Sequence, residues 1–319
     1  LVAQHTRSAR QAGPVFEQMG SLILNLKHAF VIALRMPEQI DLNLRVRQFA
    51  AKIQALCLED VDSALAAPHL DHATPYIIVH QLMGAVLAEL IGRRLGLPEP
   101  DRLALVCAAL TRDIGMFAME AELDGIKGPL TEALRRGMQS HAAAGIAILR
   151  RAGIDDPLWL AALEQHHERL DGAGYPRALA GDAIGIGGRI LAVADVYSAM
   201  TKPRPYRERE YVAQSALREM FRQKEPGLDA TLVQILIKEI GLLPPGSIVK
   251  LKNGEVAVIK QRTHTLASAL AYTVYDQRGM PLLEPLRRDC AEPAFEVAGT
   301  VSFSTCRAAA VTIKRVWLT

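Results

Sequence analysis

Aromatic residues are scarce in this 319-residue sequence, in which Phe, Trp and Tyr together make up only 5%. Proteins that bind single-stranded nucleic acids stack bases on aromatic side chains, so no such platform is expected here. The formal net charge is only +3, and Lys and Arg form no long runs. The composition therefore argues against a nucleic-acid partner of any kind.

Cysteines are also few, and long apolar runs are missing. Cys57, Cys107, Cys290 and Cys306 form no CxxC pair and lack the spacing of a disulfide framework, so they are expected to be buried thiols in a reducing cytoplasm. No apolar run reaches the roughly 18 residues of a membrane span, and the N-terminal sequence LVAQHTRSAR does not have the pattern of a signal peptide. A cytoplasmic location without a membrane span is the expectation.

What the sequence does contain is a long helical pattern. Half of the residues are apolar, and apolar positions recur at intervals of three and four residues up to about residue 240. Thr131 has the position of an N-cap, and Gly153 that of the glycine after a helix. The predicted helices are Phe16–Leu34, Ile40–Leu65, Ile77–Leu95, Leu103–Leu110, Thr131–Leu149, Pro157–Glu168, Gly188–Met200, Tyr211–Phe221 and Leu228–Ile240.

Beyond residue 246 the pattern changes to short runs rich in β-branched residues. Asn253 and Gly254, flanked by two such runs, are the strongest short signal for a β-hairpin. The predicted strands are Val249–Leu251, Val256–Ile259, Ala271–Tyr275, Gly299–Phe303 and Val311–Leu318. The sequence therefore predicts a mainly α protein with a small β part, divided into an N-terminal helical segment (1–70), a helical domain (71–242) and a β-rich domain (243–319).

Six residues of the helical part are candidate metal ligands. Asp113 and Asp195 lie within apolar runs, where a carboxylate needs a cation, a metal or several donors to offset its desolvation. A lone histidine on an apolar face is more often an ordinary core residue, but His166 and His167 are adjacent and lie about 100° apart on a helix. Both can face one site only if that site is near the helix end. The full set is His80, Asp113, His141, His166, His167 and Asp195.

The arrangement resembles the HD-GYP family, phosphohydrolases of the HD superfamily that hydrolyse cyclic di-GMP. The family motif HHExxDGxGYP is matched in full from His166 to Pro176. The resemblance extends through Lys127–Thr131, His141, the run Arg189–Met200 and the segment Arg204–Arg207. It covers roughly residues 72–241 and implies an HD-superfamily helical bundle.

The resemblance implies a centre of two or three metals, commonly iron or manganese. The first metal would use His80, Asp113 and Asp195, whereas the second would share Asp113, the expected catalytic carboxylate, with His141, His166 and His167. It further implies that Arg204 and Arg207 contact substrate phosphates, although a solvated charge cluster is the alternative for both. Tyr175 would stack on a guanine of cyclic di-GMP. The loop at Gly174, Tyr175 and Pro176 would be the place where GGDEF-domain proteins dock.

The chain departs from the family at the HD dyad. The family has HDIGK, but this chain has Arg112 in place of the histidine and Met116 in place of the lysine. Arg112 therefore either points away or takes the place of the first metal, and we predict that it hydrogen-bonds Asp113 or Asp195. Tyr76 stands where members with three metals carry a glutamate. One divalent metal at most is expected.

Three functions follow as alternatives. The favoured one is a degenerate HD-GYP module that binds cyclic di-GMP or a partner protein for regulation and hydrolyses little. The second is an active phosphodiesterase that works with the surviving metal site. The third is a scaffold that docks GGDEF-domain proteins without nucleotide. A homodimer is left open.

Overall fold

The computed structural model describes residues 14–119, 131–202, 212–222, 227–262, 265 and 269–318. Within these residues ten α-helices precede a five-stranded antiparallel sheet, and an eleventh helix follows it. This confirms the expected fold class. The helices are α1 (Val15–Arg35), α2 (Leu42–Glu59), α3 (Val61–Leu70), α4 (Tyr76–Arg94), α5 (Glu99–Thr111), α6 (Glu132–Arg151), α7 (Pro157–Gln165), α8 (Ile186–Met200), α9 (Ala213–Phe221), α10 (Ala230–Ile240) and α11 (Ala310–Arg315).

Helix α4 is the centre of the helical body. It is buried along nearly its whole length and packs against α5 and α8. In the part of the chain that the structure describes, α4 is the only helix long and apolar enough to cross a membrane, but 89% of its most apolar window is buried. Such burial is typical of the core helix of a globular protein.

The predicted helix Ile40–Leu65 is wrong as a single element, because the chain breaks at Asp60. Helix α2 ends at Glu59, and Asp60 caps α3 by accepting hydrogen bonds from the backbone N–H of Ser63 (3.1 Å) and from its hydroxyl (2.5 Å). An aspartate that bonds the backbone three residues ahead favours a helix start over a helix interior. The periodicity continued through the break and concealed it. The predicted cap at Thr131 is confirmed, since its hydroxyl accepts from Leu134 N.

The sheet has the strand order β4-β3-β2-β1-β5, with β1 at Ile248–Leu251, β2 at Val256–Ile259, β3 at Leu270–Tyr275, β4 at Pro281–Asp289 and β5 at Val297–Val301. The predicted hairpin is confirmed, because β1 and β2 pair antiparallel across Asn253 and Gly254. Gly254 has a φ of +94°, in the region that glycine adopts without a steric penalty.

The β part differs from the prediction in two places. Val311–Leu318 is not a strand, because the chain forms α11 there and buries Ile313, Val316 and Trp317 against the sheet. The edge strand β4 was missed, since it carries Pro281 and Pro285, and its outer positions are exposed. Proline is tolerated at sheet edges, where its missing N–H is not needed for a ladder.

The β part packs on the N-terminal helices. Ala66 and Leu70 of α3 lie in one apolar cluster with Ile248, and the ring of Phe16 stacks on Trp317 at 5.5 Å. Helices α1 and α2 also share one continuous core with α4 and α5. The domain boundaries at residues 70 and 242 stay a prediction.

Candidate metal centre

Five elements of the helical body bring the six candidate ligands together. His80 lies on α4, Asp113 follows the end of α5, His141 lies on α6, His166 and His167 follow the end of α7, and Asp195 lies on α8. Five of the six are buried, and the side chain of His167 is 18% exposed. Their ligand atoms form two groups of three, each group with its atoms within 4.8 Å of one another.

The adjacent histidines both reach the centre because helix α7 ends before them. The prediction that this helix continues to Glu168 is wrong, since α7 ends at Gln165 and His166 is its C-cap. The side chains of His166 and His167 therefore lie at a helix end, where both rings can face one point. Their ring centroids are 4.0 Å apart.

Two contacts that the sequence did not reveal fix the end of α5, one with α7 and one with α6. The indole N–H of Trp159 on α7 donates to the hydroxyl of Thr111, the last residue of α5, at 2.8 Å. A Cβ on Gly115 would lie 2.2 Å from the carbonyl oxygen of His141. Only glycine at position 115 therefore allows the turn after Asp113 to lie so close to α6. Asp113 is thereby held against His141.

The first group consists of His80, Asp113 and Asp195. His80 Nε2 lies 2.9 Å from Asp195 Oδ1 and 3.5 Å from Asp113 Oδ2. The other ring nitrogen of His80, Nδ1, is 2.9 Å from the hydroxyl of Ser198 one turn along α8. Tyr76 stacks on the His80 ring at 4.8 Å.

Arg112 lies inside this first group and is fully buried. Its Nε donates to Asp195 Oδ1 at 3.1 Å and lies 3.5 Å from Asp113 Oδ2. The predicted hydrogen bond from Arg112 to one of the two carboxylates is confirmed. A guanidinium therefore lies among the residues that the resemblance implies as ligands of a first metal.

The second group consists of His141, His166 and His167, and its rings are oriented by backbone carbonyls. His141 Nδ1 hydrogen-bonds Met138 O, and His166 Nδ1 lies 2.6 Å from Leu163 O. A carbonyl can only accept, so both Nδ1 atoms carry a proton, and in the neutral form of each ring Nε2 presents a lone pair. These two Nε2 atoms are 3.3 Å apart.

Two facing lone pairs repel unless a proton or a metal ion lies between them. Two nitrogens about 2.1 Å from one ion are separated by about 3.0–3.4 Å for octahedral or tetrahedral geometry, and the observed separation lies in that range. His167 completes the group, with its ring centroid 5.1 Å from that of His141. The donor set therefore fits one metal ion bound through imidazoles.

Asp113 lies between the two groups. Its Oδ1 is 3.4 Å from His141 Nε2, and its Oδ2 faces His80 and Arg112. Among the described residues, Asp113 Oδ2 has no hydrogen-bond partner although it is buried. A buried carboxylate oxygen without a donor is costly unless a cation or water satisfies it. The cation 3.5 Å from this oxygen is the guanidinium of Arg112, so Asp113 lies between that charge and the second group, whereas the resemblance implies a bridge between two metals.

The protonation states suit metal binding. Burial, followed by the nearby imidazoles of His167 and His141, holds the pKa of His166 well below its ordinary value. Burial likewise lowers the pKa of His167 to about 4. Burial alone would raise the pKa of Asp195, but its bond to His80 and the charge of Arg112 hold it well below the usual range. At neutral pH the imidazoles of His166 and His167 are therefore neutral and the carboxylate of Asp195 is ionised, which are the ligand forms.

The loop after the histidines is built around Glu168. Its carboxylate is 2% exposed and accepts hydrogen bonds from Arg177 N (2.7 Å) and Leu179 N (2.9 Å). The loop places the ring of Tyr175 on that of His167 at 4.6 Å, so one face of Tyr175 is already covered. Glu168 is thus the residue that shapes the loop, a role the sequence analysis did not assign.

Replacing Glu168 by Gln tests this role. We expect the variant to lose about 1–3 kcal/mol of unfolding free energy, because the amide nitrogen would face a backbone N–H, and a buried donor would be left unsatisfied. The measurement is chemical denaturation followed by circular dichroism. The matched control is Glu164→Gln on α7, whose partly exposed carboxylate lies 3.7 Å from Arg177 Nη1. We expect a change below about 0.5 kcal/mol for this control. Equal losses in the two variants would contradict the role.

The remaining predicted site residues have different outcomes. Met116 packs against the apolar core, with its N–H donating to Asp113 O at 2.8 Å. Arg204 and Arg207 lie outside the described residues, as do residues 127–130. Their contacts with substrate phosphates stay predictions.

Sequence comparison finds a matching family profile and several similar proteins. A family profile described as HD domain matches residues 61–232. The 3'3'-cGAMP-specific phosphodiesterase 3 of Vibrio cholerae is 36% identical over 175 residues, which are 55% of this chain and 38% of that protein. A cyclic di-GMP phosphodiesterase of Pseudomonas aeruginosa is 29% identical over 228 residues, which are 72% of this chain and 54% of that protein.

The fold has a counterpart among solved structures. A protein from Bdellovibrio bacteriovorus described as HDG"Y"P superposes with a TM-score of 0.59 and 13% identity, over 72% of this chain and 74% of that chain. At this identity the similarity supports the fold alone. The chain spans about half or less of the length of the two phosphodiesterases above.

Proposed function

The chain belongs to the HD domain family and is related to the HD-GYP cyclic di-GMP phosphodiesterases, and from this we propose that it is a degenerate member that binds a cyclic dinucleotide but hydrolyses it little. Its role would be that of a nucleotide-binding or regulatory module. The observation that carries the proposal is the place of Arg112, which pairs with Asp195 inside the first group of ligands.

Arg112 and a first metal exclude each other on electrostatic grounds. Two unit charges about 4 Å apart at an effective dielectric near 20 repel by about 4 kcal/mol, and a divalent ion doubles that figure. Arg112 also occupies Asp195 Oδ1, the atom bonded to His80, so that carboxylate oxygen is already engaged by two partners. Both groups consist of metal-ligand residues, but with Arg112 in the first we propose that the chain holds one divalent metal at most.

The second group is the place for that metal. His141, His166 and His167 offer three nitrogens, and Asp113 adds a carboxylate oxygen 3.4 Å from His141 Nε2. Such a mixed set suits iron or manganese, with zinc as a further fit. When bound, a divalent ion supplies Lewis-acid polarisation of a phosphate oxygen. Arg112 supplies a fixed positive charge on the other side of Asp113.

The proposed class of nucleotide is taken from the relatives. One of them acts on 3'3'-cGAMP and another on cyclic di-GMP. Both molecules have two phosphodiesters and a guanine, for which the half-buried ring of Tyr175 would provide a stacking surface. We propose Arg204 and Arg207 for the phosphates, since a guanidinium binds phosphate oxygens in pairs. Docking of a GGDEF-domain protein on the Gly174–Pro176 loop stays a prediction from the resemblance.

A second candidate is slow hydrolysis at the one-metal centre. The facing Nε2 atoms of His141 and His166 favour it, because this intact geometry is the one that a working metal site needs. On this alternative the chain remains a phosphodiesterase with a reduced rate. The two candidates share the nucleotide and the metal and differ only in turnover.

The test combines binding with product detection. Protein loaded with manganese is titrated calorimetrically with cyclic di-GMP and with 3'3'-cGAMP, and the mixture is then resolved by chromatography. We expect at least one nucleotide to bind and to be recovered intact. Accumulation of linear dinucleotide over hours supports the second candidate, whereas turnover on the order of 1–10 s⁻¹, ordinary for an enzyme, contradicts the proposal of a degenerate member.

A variant pair assigns the binding to the loop. Tyr175→Leu should weaken nucleotide binding by about tenfold or more, because one base–aromatic stack contributes about 1–3 kcal/mol. Tyr272→Leu on β3 is the control and should leave it unchanged, because β3 lies in the sheet and contributes no residue to the metal centre. Absence of binding by both nucleotides to the parent protein would overturn the proposal.

A further inference from the structure

Gly84 lies one turn after His80 on α4, and the guanidinium of Arg112 rests against it. A Cβ on Gly84 would lie 2.3 Å from Arg112 Nη1, 2.9 Å from Cζ and 3.1 Å from Nη2. Real Cβ atoms do not approach other atoms so closely, so any residue other than glycine would have to displace the guanidinium. The space that Arg112 fills is therefore created by the missing side chain of Gly84.

The guanidinium is held in this space by acceptors on three sides. Nη1 donates to Ala109 O at 2.9 Å, Nη2 donates to His80 O at 3.0 Å, and Nε donates to Asp195. A buried charge persists only when it is paired and hydrogen-bonded, and Arg112 meets both conditions. The arginine is thus built into the core at a defined position.

We propose that Gly84 is a positioning residue, and that Gly84 and Arg112 together form a built-in cation socket that replaces the first metal. The inference rests on the one-metal centre proposed above. It adds that the number of metals is determined by a pair of residues, one on α4 and one after α5. Gly84 acts only through Arg112 and touches neither metal nor nucleotide.

The competing explanation is that Gly84 serves only close packing between α4 and its neighbours. The two explanations differ in what happens when Arg112 is shortened. If the glycine serves the arginine, an alanine at position 84 becomes acceptable once Arg112 is gone. If it serves helix packing, an alanine is equally harmful in both backgrounds.

The experiment is a double-mutant cycle on melting temperature in metal-free buffer, with the parent, Gly84→Ala, Arg112→His and the double variant. In the parent background we expect Gly84→Ala to lower the melting temperature by about 5 °C or more, because overpacking dislodges a buried charge. In the Arg112→His background we expect it to raise the melting temperature by about 2 °C, since Ala is the better helix former. The change of sign is the expected result.

Gly92→Ala is the matched control on the same helix. A Cβ there would lie 3.2 Å from Cγ of Arg102, a flexible side chain outside the metal centre. We expect its effect to be the same in both backgrounds. If Gly84→Ala also has the same effect in both backgrounds, the proposal is overturned.

Folding of the variants is itself a readout. If Gly84→Ala yields no folded protein in the parent but folds in the Arg112→His background, the proposal is supported. Failure in both backgrounds overturns it. If Arg112→His itself does not fold, the cycle is repeated with Arg112→Gln, which removes the charge and shortens the side chain.

Metal content by mass spectrometry distinguishes this inference from the proposed function. Manganese-loaded Arg112→His and the double variant should both bind about one ion more than the parent, because a restored histidine completes a ligand set and the alanine no longer clashes. If no variant binds metal, the proposed metal centre fails, but the sign of the cycle in metal-free buffer still decides the role of Gly84.

Discussion

Replacing Arg112 by His and Met116 by Lys together is expected to raise the metal content from about one ion per chain to about two and cyclic dinucleotide hydrolysis by about 100-fold or more. The substitution removes the guanidinium that now pairs with Asp195 at 3.1 Å and supplies an imidazole beside His80. The lysine restores a cation where Met116 now packs against the core.

The size of this effect follows from the chemistry of phosphodiester cleavage. A second divalent ion stabilises the charge that develops in the transition state by several kcal/mol. Each 1.36 kcal/mol changes the rate about tenfold. Asp113 is already placed to serve both ions, since its Oδ1 faces His141 and its Oδ2 faces His80. The change therefore completes a site whose remaining ligands are in position.

The measurements are metal content by mass spectrometry and the initial rate of linear dinucleotide formation. Met116→Lys alone is the control, because it leaves Arg112 in the first group and should leave the metal content unchanged. If the double variant gains neither metal nor rate, the proposed impairment does not come from the dyad, and Arg112 is not the residue that excludes the first metal.

The sequence predicted which candidate ligands lie together better than it predicted the shapes of their surroundings. Asp113 and Asp195 could be found because a carboxylate in an apolar run demands a partner, and the paired histidines are part of a long motif. The position of Arg112 followed from charge alone, since a buried cation moves to the nearest carboxylates. These inferences depend on chemistry that is local to one or two residues.

The features that the sequence did not reveal depend on contacts between distant segments. The residues around Gly84 in the sequence give no sign of its contact with Arg112, which follows another helix. The guanidinium needs the space that a side chain at position 84 would fill. Likewise, the bond from Trp159 to Thr111 joins residues 48 positions apart. Periodicity cannot show such pairs, because it describes one helix at a time.

The errors in secondary structure have a related origin. Asp60 ended a helix although the apolar spacing continued, and β4 was missed because an exposed edge strand has no alternating pattern to detect. Val311–Leu318 was assigned as a strand from its β-branched residues, but its apolar side chains are buried by a short helix instead. Tertiary packing overrides β-propensity in such short segments.

His166→Ala is expected to abolish metal binding and leave the fold standing. His166 supplies one of the two Nε2 atoms that face each other at 3.3 Å, so its removal leaves the second group with two imidazoles and no closed ligand set. The helix before it remains anchored by Trp159 and Leu163, both of which are fully buried. The loss should therefore concern the metal and not the helix.

Thermal unfolding with and without manganese measures this effect. A ligand at about 100 times its dissociation constant stabilises the native state by about 2.7 kcal/mol, which for a chain of this size raises the melting temperature by about 4 °C. We expect this rise for the parent and none for His166→Ala. Metal content after purification without chelator gives an independent readout.

His69→Ala is the matched control for this last variant. Like His141 and His166, His69 bonds a backbone carbonyl through Nδ1, at Pro245 O (3.1 Å), but it lies at the junction with the sheet. Its loss should cost stability and leave the manganese-dependent rise intact. A parent protein that contains no metal and gains no stability from manganese or ferrous iron would contradict the proposal that the second group binds a metal. The Nε2 atoms of His141 and His166, 3.3 Å apart, would then share a proton in a hydrogen bond. Nucleotide or partner binding would remain as the function.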